Sequence, residues 1–301
     1  MRLPRMLALG ASMLVLTSAC SVGGSSKPTI KLGSDGFYES KIMAEIYGQA
    51  LEHNGYTVDR TGIGLASRKV SAPALESGQI DLKPEYIGSG LAYYDSTKTT
   101  GDPATNAAAL QTILNGKGGG ITVLNYSPAA DQNAFVVTAA TATKYHLATM
   151  SDLTAVATTL KFGVAKDCST NPVCAAAIKT SYGVDLSNAI PLSACDQPMV
   201  DALTGGTIQV GELCSTQPDI AKNGWVVLTD DKHTQPADNL APLIRNDYLA
   251  KVDKTSFEKI LNDISAKMTT ADLTKLNAEF VFDKKDVSTI AKEWLTTNGF
   301  V

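Results

Sequence analysis

The chain has 301 residues, enough for one large or two ordinary domains, and its 44% hydrophobic and 19% charged residues are typical of a globular protein rather than a disordered one. Its formal net charge of −4 excludes the basic surface that nucleic-acid binding requires, so no nucleic-acid partner is expected. The apolar stretch at the N-terminus is too short to span a bilayer, which argues against an integral membrane protein.

The N-terminus resembles a bacterial lipoprotein signal. Two arginines precede an uncharged stretch from Met6 to Leu16, and small residues then lead to Cys20. This pattern predicts a signal peptide over 1–19, a lipid on Cys20 that anchors the chain to the outer face of the cell membrane, and a flexible Gly/Ser tether over 20–28. The alternative is an ordinary secretory peptide, which would leave Cys20 as a free thiol. Both interpretations predict export.

Strand and helix signals alternate along most of the chain after the tether. The first unit has predicted strands at 29–33, 56–59, 79–82 and 121–124 and predicted helices at 40–54, 67–77 and 103–115. The second unit has predicted strands at 134–137, 161–164, 208–210 and 225–228 and predicted helices at 150–158 and 172–182. Amphipathic helices follow at 254–267, 270–282 and 286–298. This order predicts an α/β fold with mainly parallel sheets.

Cysteine use agrees with export. Of the five cysteines, all except Cys20 lie between residues 168 and 214. Four cysteines can pair in three ways, and we favour Cys168–Cys174, which closes a short loop, together with Cys195–Cys214. Their spacing does not resemble a zinc site, and no histidine lies among them, so no metal is expected.

The sequence offers no catalytic constellation. The three histidines, His53, His146 and His233, stand in positions typical of solvated side chains. No nucleophile elbow, phosphate-binding loop or dinucleotide-binding glycine pattern is present. We therefore expect neither an enzyme nor a cofactor.

Polar segments rich in small residues lie near the carboxyl ends of predicted strands. These segments are 33–37, 65–68 and 84–90. In open α/β sheets, ligands bind at this edge, where helix N-termini point outward. Glycine and serine can also serve only to shape turns, but three such segments in succession predict a binding cleft.

Four segments resemble those of the glycine betaine/choline/carnitine-type substrate-binding proteins of osmoprotectant ABC importers: GSDGFYESKIMAEIYGQALEHNGY, GLASRKVSAPALESGQIDLKPEYIGSGL, DDKHTQPADN and AKEWLTTNGF. The resemblance implies a type II periplasmic-binding-protein fold, in which two α/β lobes joined by two hinge strands close over a small ligand. Lobe 1 would comprise 29–131 plus 240–301, and lobe 2 would comprise 132–239 with its four cysteines. The crossings would lie at 131–133 and 238–239.

The same resemblance implies an aromatic cage around a quaternary ammonium ligand. Tyr86 matches one tyrosine of this cage, whereas the other aromatic positions fall on Asn133, Cys214 and Asp238, and the position of a basic residue falls on Asn171. The candidate ligand-binding residues are Ser34, Asp35, Ser67, Tyr86, Asn133, Asn171, Thr216 and Asp238. An incomplete cage leaves two ligand classes open: the osmoprotectants, and hydroxylated or aromatic compounds.

The function that these features predict is that of a monomeric, lipid-anchored receptor. It would deliver a small polar molecule to an ABC permease and ATPase, without any bond chemistry. Two alternatives stay open: an exported enzyme on the same scaffold, and a lipoprotein that signals or adheres without transport.

Overall fold

The structure, a computed structural model, describes residues 27–301. The predicted signal peptide (1–19), the predicted lipid on Cys20 and most of the predicted tether (20–28) lie outside these residues. Among the helices of residues 27–301, none combines the length and the apolar character needed to cross a bilayer.

Helices and strands alternate along this part of the chain. The strands are, in chain order, β1 (Ile30–Asp35), β2 (Val58–Leu65), β3 (Leu82–Tyr86), β4 (Ile121–Val123), β5 (Asn133–Val137), β6 (Phe162–Ala165), β7 (Ile190–Leu192), β8 (Val210–Cys214), β9 (Val226–Val227) and β10 (Leu240–Arg245). The helices are α1 (Tyr38–His53), α2 (Arg68–Ser77), α3 (Ile87–Asp95), α4 (Pro103–Leu114), α5 (Ala139–Tyr145), α6 (Ala175–Tyr182), α7 (Gln197–Thr204), α8 (Pro218–Lys222), α9 (Asn246–Leu249), α10 (Lys254–Lys267), α11 (Thr270–Val281) and α12 (Val287–Thr297).

The strands form two five-stranded sheets, in the orders β2-β1-β3-β10-β4 and β7-β6-β8-β5-β9. The α/β class is as predicted, but the sheets are mixed rather than mainly parallel. In the first sheet β10 runs antiparallel to β3 and β4, and in the second sheet β5 runs antiparallel to β8 and β9. Each of these strands enters directly from the other sheet, without the crossover helix that a parallel neighbour requires.

We call the first sheet with α1–α4 and α9–α12 lobe 1, and the second sheet with α5–α8 lobe 2. Two antiparallel segments connect them: Ala130 and Asn239 form a β-bridge, and the Asp131 N–H donates to the Asp238 carbonyl at 3.1 Å. The Gln132 side-chain amide also donates to the Pro236 carbonyl at 2.6 Å. These segments coincide with the crossings that the resemblance implies, while the lobe boundaries at 131/132 and 239/240 stay a prediction.

The third strand differs from its prediction at 79–82. It begins at Leu82 and includes Pro84, Glu85 and Tyr86, which were expected in a loop, and Ile87 then starts α3. Its residues alternate between apolar and polar, but all five are buried, so the polar positions do not face solvent. Lys83 is fully buried within it, a position that its charge does not predict.

The C-terminal helices agree closely with their predictions, since α10, α11 and α12 begin and end within one residue of the expected bounds. Their buried faces, with Phe257, Leu261, Leu276 and Leu295 among others, join the core between α1 and the first sheet. The stretch predicted as a helix at 150–158 instead forms short 3₁₀ turns.

Both disulfides lie in lobe 2. Cys168 is bonded to Cys174 and Cys195 to Cys214, which is the pairing favoured from the sequence. The first bridge closes the loop between β6 and α6, and the second joins the segment before α7 to the end of β8.

Candidate functional site

The centre of the candidate site is the carboxyl group of Glu39, in the first turn of α1. Glu39 is only 2% exposed. Its carboxylate accepts hydrogen bonds from the Tyr86 hydroxyl at the end of β3, from Thr216 Oγ1 at 2.6 Å and from the Asn277 side-chain amide on α11. Thr216 follows β8 in lobe 2, whereas the other groups belong to lobe 1. Glu39 therefore joins the two lobes directly.

Asp131, in the first connecting segment, lies beside this group. Its Oδ1 accepts hydrogen bonds from the Ser215 hydroxyl at 3.2 Å and from the Thr216 N–H at 3.1 Å. Burial raises the pKa of both Glu39 and Asp131, and the negative charge of Glu39 raises the pKa of Asp131 further. Hydroxyl and amide groups, rather than cations, hold the two carboxylates. The pair is therefore suited to a positively charged guest or to a bound proton.

Aromatic rings border the same cluster. The ring centroids of Phe37 and Tyr86 are 5.8 Å apart, and Tyr38 stacks on Phe280 at 5.2 Å. The Tyr38 hydroxyl donates to Gln217 Oε1 of lobe 2 at 3.0 Å, which adds a second contact between the lobes. Burial raises the pKa of Tyr38 and Tyr86 far above the usual value, so both phenols stay neutral donors. Ring faces beside carboxylates attract a cation.

A cavity of about 310 Å³ opens between the lobes next to this cluster. Tyr38, Phe280, Lys284 and Lys285 line it from lobe 1, and Asp196 and Gln217 line it from lobe 2. Its volume is at the lower end of the range for small-molecule sites. Tyr38 and Gln217 directly adjoin Glu39 and Thr216 in the chain, but Glu39 and Thr216 themselves do not line this cavity.

Asp35, one of the predicted ligand residues, belongs to a buried ion network beneath the cluster. Lys83 Nζ lies 3.1 Å from Asp35 Oδ1 and 3.0 Å from Glu85 Oε2, and Arg68 approaches Glu85 at 2.8 Å. Burial alone would raise the pKa of Glu85, but the Arg68 and Lys83 charges lower it to about 2. Arg68 and Lys83 are thus already paired with carboxylates, whereas Lys284 Nζ, at the interlobe cavity, donates to the Val281 carbonyl.

Asp238, in the second connecting segment, holds the start of α3. Its carboxylate accepts hydrogen bonds from the Ser89 N–H at 2.8 Å and from the Ser89 hydroxyl. Burial raises the pKa of Asp238 to about 6, although the Arg68 charge opposes this shift. The segment between the lobes is therefore attached to a helix of lobe 1.

The remaining predicted residues have other neighbours. The Ser34 hydroxyl donates to the Asp35 carbonyl and accepts from the Gly64 N–H, each at 2.9 Å, and so connects β1 to β2. Ser67 is exposed and precedes α2 without a side-chain capping bond. Asn133 faces Cys214 in the ladder of β5 and β8, and Asn171 Oδ1 accepts from the Val173 N–H at 3.2 Å inside the first disulfide loop.

Of the eight predicted ligand-binding residues, Tyr86 and Thr216 both contact Glu39. The ligand-binding roles of all eight stay predictions. Sequence reasoning missed Glu39 and Asn277, and it treated Asp131 only as part of a crossing. Glu39 lies just after the predicted binding segment 33–37, in the first turn of α1. Carboxylates are favoured at this end of a helix, so Glu39 could have been included among the candidates. Asn277 stands among buried leucines of α11, a position that an amphipathic pattern alone assigns to the core.

Comparisons with known proteins give a consistent result. Residues 28–297 match the profile of a family described as the substrate binding domain of ABC-type glycine betaine transport system. The chain is similar to a carnitine transport binding protein of Listeria monocytogenes, with 27% identity over 300 residues that cover 96% of each chain. It is also similar to a glycine betaine-binding protein of Escherichia coli, with 23% identity over 98% of this chain and 99% of the relative.

Solved structures resemble the fold over almost the same length. A crystal structure titled as a glycine betaine/carnitine/choline ABC transporter superposes with a TM-score of 0.73 and 25% identity, covering 90% of this chain and 98% of that one. A lactococcal protein in its closed conformation with glycine betaine superposes with a TM-score of 0.63 and 18% identity, covering 90% and 96%. These neighbours have the two-lobed type II periplasmic-binding-protein fold that the resemblance predicts.

Proposed function

Because the chain belongs to the family of substrate-binding domains of ABC-type glycine betaine transport systems, we propose that it captures a small quaternary ammonium osmoprotectant between its lobes and delivers it to a permease and ATPase. The observation that carries this proposal is the contact of Glu39 in lobe 1 with Thr216 in lobe 2, beside Asp131 and the Tyr86 ring. A ligand that enters this cluster touches both lobes and so stabilises their closure.

The charges of the cluster favour a ligand with a net positive charge, such as choline, over the zwitterions carnitine and glycine betaine. Glu39 and Asp131 are held by neutral groups, and each can pair with a trimethylammonium group. At the cluster a ligand carboxylate would need a cation, but Arg68 and Lys83 already pair with Glu85 and Asp35, and Lys284 and Lys285 line the neighbouring cavity rather than the cluster. Choline should therefore bind more tightly than the zwitterions.

Binding measurements on the disulfide-bonded protein test this proposal. Choline should bind saturably in calorimetry and raise the melting temperature, because it binds only the folded state. Carnitine, glycine betaine, a polyol and a phenol are measured alongside it. Binding of the polyol or the phenol in place of all three osmoprotectants would support the hydroxylated or aromatic class and overturn the proposal.

Tyr86 gives the matched variants for this experiment. Tyr86→Ala removes both the ring and the hydroxyl that donates to Glu39, while Tyr86→Phe keeps the ring. A cation–ring contact contributes about 0.5–2 kcal/mol, so we expect Tyr86→Ala to weaken choline binding by roughly tenfold or more and Tyr86→Phe to weaken it less. Unchanged affinity of Tyr86→Ala would place the ligand elsewhere.

We also propose that the protein acts outside the cytoplasm as a lipid-anchored monomer. The signal pattern before Cys20 supports the lipid anchor, and membership of this family supports an extracytoplasmic location. Cys20→Ser should release the protein from the membrane fraction, whereas the neighbouring Ser21→Ala should leave it there. Membrane retention of Cys20→Ser would contradict the lipid anchor.

Two properties separate this function from its alternatives: the protein leaves the ligand chemically unchanged, unlike an enzyme, and it is needed for uptake, unlike a sensory or adhesive lipoprotein. Family members are substrate-binding proteins, so bound choline should be recovered unchanged after incubation. Cells that lack this protein should lose choline uptake and regain it with the intact gene. Conversion of the ligand would support the enzyme, and normal uptake without the protein would support a sensory or adhesive role.

A further inference from the structure

A further buried carboxyl group, that of Glu212, lies in lobe 2 and takes no part in the proposed cleft. Glu212 is on β8 and is fully buried. Its Oε2 accepts from the Ala165 N–H at 2.8 Å and lies 3.6 Å from Cys174 Sγ, within the Cys168–Cys174 disulfide. Among the described residues, its Oε1 has no hydrogen-bond partner. A buried acid with a free oxygen beside a disulfide needs an explanation.

The surroundings of Glu212 keep its proton available near neutral pH. Burial raises its pKa to about 7, with the Ala165 N–H opposing and Asp167 adding to this shift. The position opposite Glu212 on β5 is Phe135, and the first turn of α6 carries no acidic side chain. Lys179 of α6 pairs with Asp185 at 2.8 Å. Asp167 is therefore the charge that acts on Glu212.

A cavity of about 450 Å³ reaches the same disulfide from the surface of lobe 2. Its lining includes Cys168 and Ser169 from the disulfide loop, Ala175 from α6, and Lys166 and Lys179. Cys168 lines the cavity although it is only 2% exposed, Cys174 does not line it, and the Glu212 carboxyl group lies within 4.8 Å of both sulfurs. The two cysteines therefore differ in access from the cavity, which favours Cys168 as the attacked sulfur and Cys174 as the departing one.

We propose that Cys168, Cys174 and Glu212 form a thiol–disulfide exchange site that takes a small thiol from this cavity. The thiolate of the incoming molecule bonds to Cys168 Sγ, the Cys168–Cys174 bond breaks, and its electron pair goes to Cys174 Sγ. Glu212 gives its proton to that departing sulfur. The products are a mixed disulfide on Cys168, a Cys174 thiol and a Glu212 carboxylate, and the small thiol is the reductant.

The test uses the full chain with Cys20→Ser, so that sulfur chemistry is limited to the two disulfides. The oxidised protein is incubated with 2-mercaptoethanesulfonate, newly formed thiols are alkylated, and the modified peptides are identified by mass spectrometry. The adduct should be on Cys168 and the alkyl group on Cys174. Glu212→Gln keeps an acceptor for the Ala165 N–H but has no acidic proton, and should slow this exchange roughly a hundredfold.

The Cys195–Cys214 disulfide is the internal control, because its exchange rate should be the same with and without Glu212→Gln. Equal rates at Cys168–Cys174 in both proteins, or an adduct on Cys174, would overturn the proposal. A second measurement needs no variant at Glu212: the exchange rate per thiolate should fall as the pH rises through about 7. A rate per thiolate that does not change with pH would also overturn it. Neither outcome depends on osmoprotectant binding.

Discussion

Glu39 and Lys83 show two ways in which this protein accommodates buried charge. Lys83 lies between Asp35 and Glu85, so each of its neighbours offsets its charge. Glu39 instead relies on donors from Tyr86, Thr216 and Asn277. A buried carboxylate without a cation is costly, and a cationic ligand lowers that cost. Within residues 27–301, Glu39 lacks the cationic partners that Lys83 and its carboxylates provide for one another. The interlobe cluster, which consists of Glu39, Tyr86, Asp131, Thr216 and Asn277, is therefore the candidate site for a cation.

Thr216 gives a residue-scale prediction about closure. Thr216→Val keeps the side-chain shape and the N–H bond to Asp131 but removes the hydroxyl that donates to Glu39 at 2.6 Å. A hydrogen bond to a charged group contributes about 1.5–3 kcal/mol, so we expect choline affinity measured by calorimetry to fall by roughly ten- to a hundredfold. Thr216→Ser keeps the hydroxyl and should bind nearly as the native protein does. Similar affinities of the two variants would show that this contact does not control closure.

At the scale of elements, α11 brings Asn277 to the interlobe cluster, and its position depends on a local signal at its start. Thr269 and Asp272 form a capping box: the Asp272 N–H donates to Thr269 Oγ1 at 3.1 Å, and the Thr269 N–H donates to Asp272 Oδ2 at 3.0 Å. This reciprocal pair satisfies backbone groups that the first helical turn leaves free.

Removal of this cap should weaken the fold measurably. Thr269→Ala is expected to lower the free energy of unfolding in urea by about 1 kcal/mol, since an N-cap hydroxyl is lost. Thr274→Ala, inside the same helix, is the control. Its hydroxyl donates to the Thr270 carbonyl, and alanine is the better helix former, so stability should not decrease. An equal loss in both variants would show that the box has no capping effect.

At the scale of the whole molecule, burial of carboxyl groups makes stability depend on pH. Burial raises the pKa of Glu39 and Asp131 at the lobe boundary. It also raises the pKa of Asp238 to about 6 and the pKa of Glu212 to about 7. In the unfolded chain these groups ionise near pH 4 to 4.5. Between these values the folded state holds more protons than the unfolded state, so the free energy of unfolding decreases as the pH rises. The pKa of Glu85 is lowered to about 2, so its ionisation makes the free energy of unfolding increase as the pH rises, but only at a more acidic pH.

We therefore expect the melting temperature to fall as the pH rises from about 5 to about 8. Glu212→Gln should flatten this dependence. The rise of the Glu212 pKa to about 7 on folding corresponds to a total change of about 4 kcal/mol in the free energy of unfolding, most of it within this pH range. Thermal unfolding of both proteins across this pH range provides the measurement. The same slope in the two proteins would contradict a proton held by Glu212 in the folded state.

Local signals in the sequence determined a large part of the architecture. The C-terminal helices follow from their apolar periodicity and caps, and the pairing Cys168–Cys174 follows from its short loop. The binding edge at the small polar residues near strand ends, and the place of Tyr86 in it that the family resemblance implies, stay predictions. The helices and the disulfide loop depend on residues close together in the chain, which is why the sequence alone was sufficient for them.

Contacts between distant residues were decided only by the tertiary structure. Thr216 is 177 positions from Glu39 and Asn277 is 238 positions away, and periodicity carries no information about partners so far apart. The direction of β5 and β10 depends on how the chain passes between the sheets, and the burial of Lys83 depends on two carboxylates brought to it by other segments. Such features arise because the packing of two lobes sets the neighbours of each buried group, whereas the local sequence sets only its helix or strand.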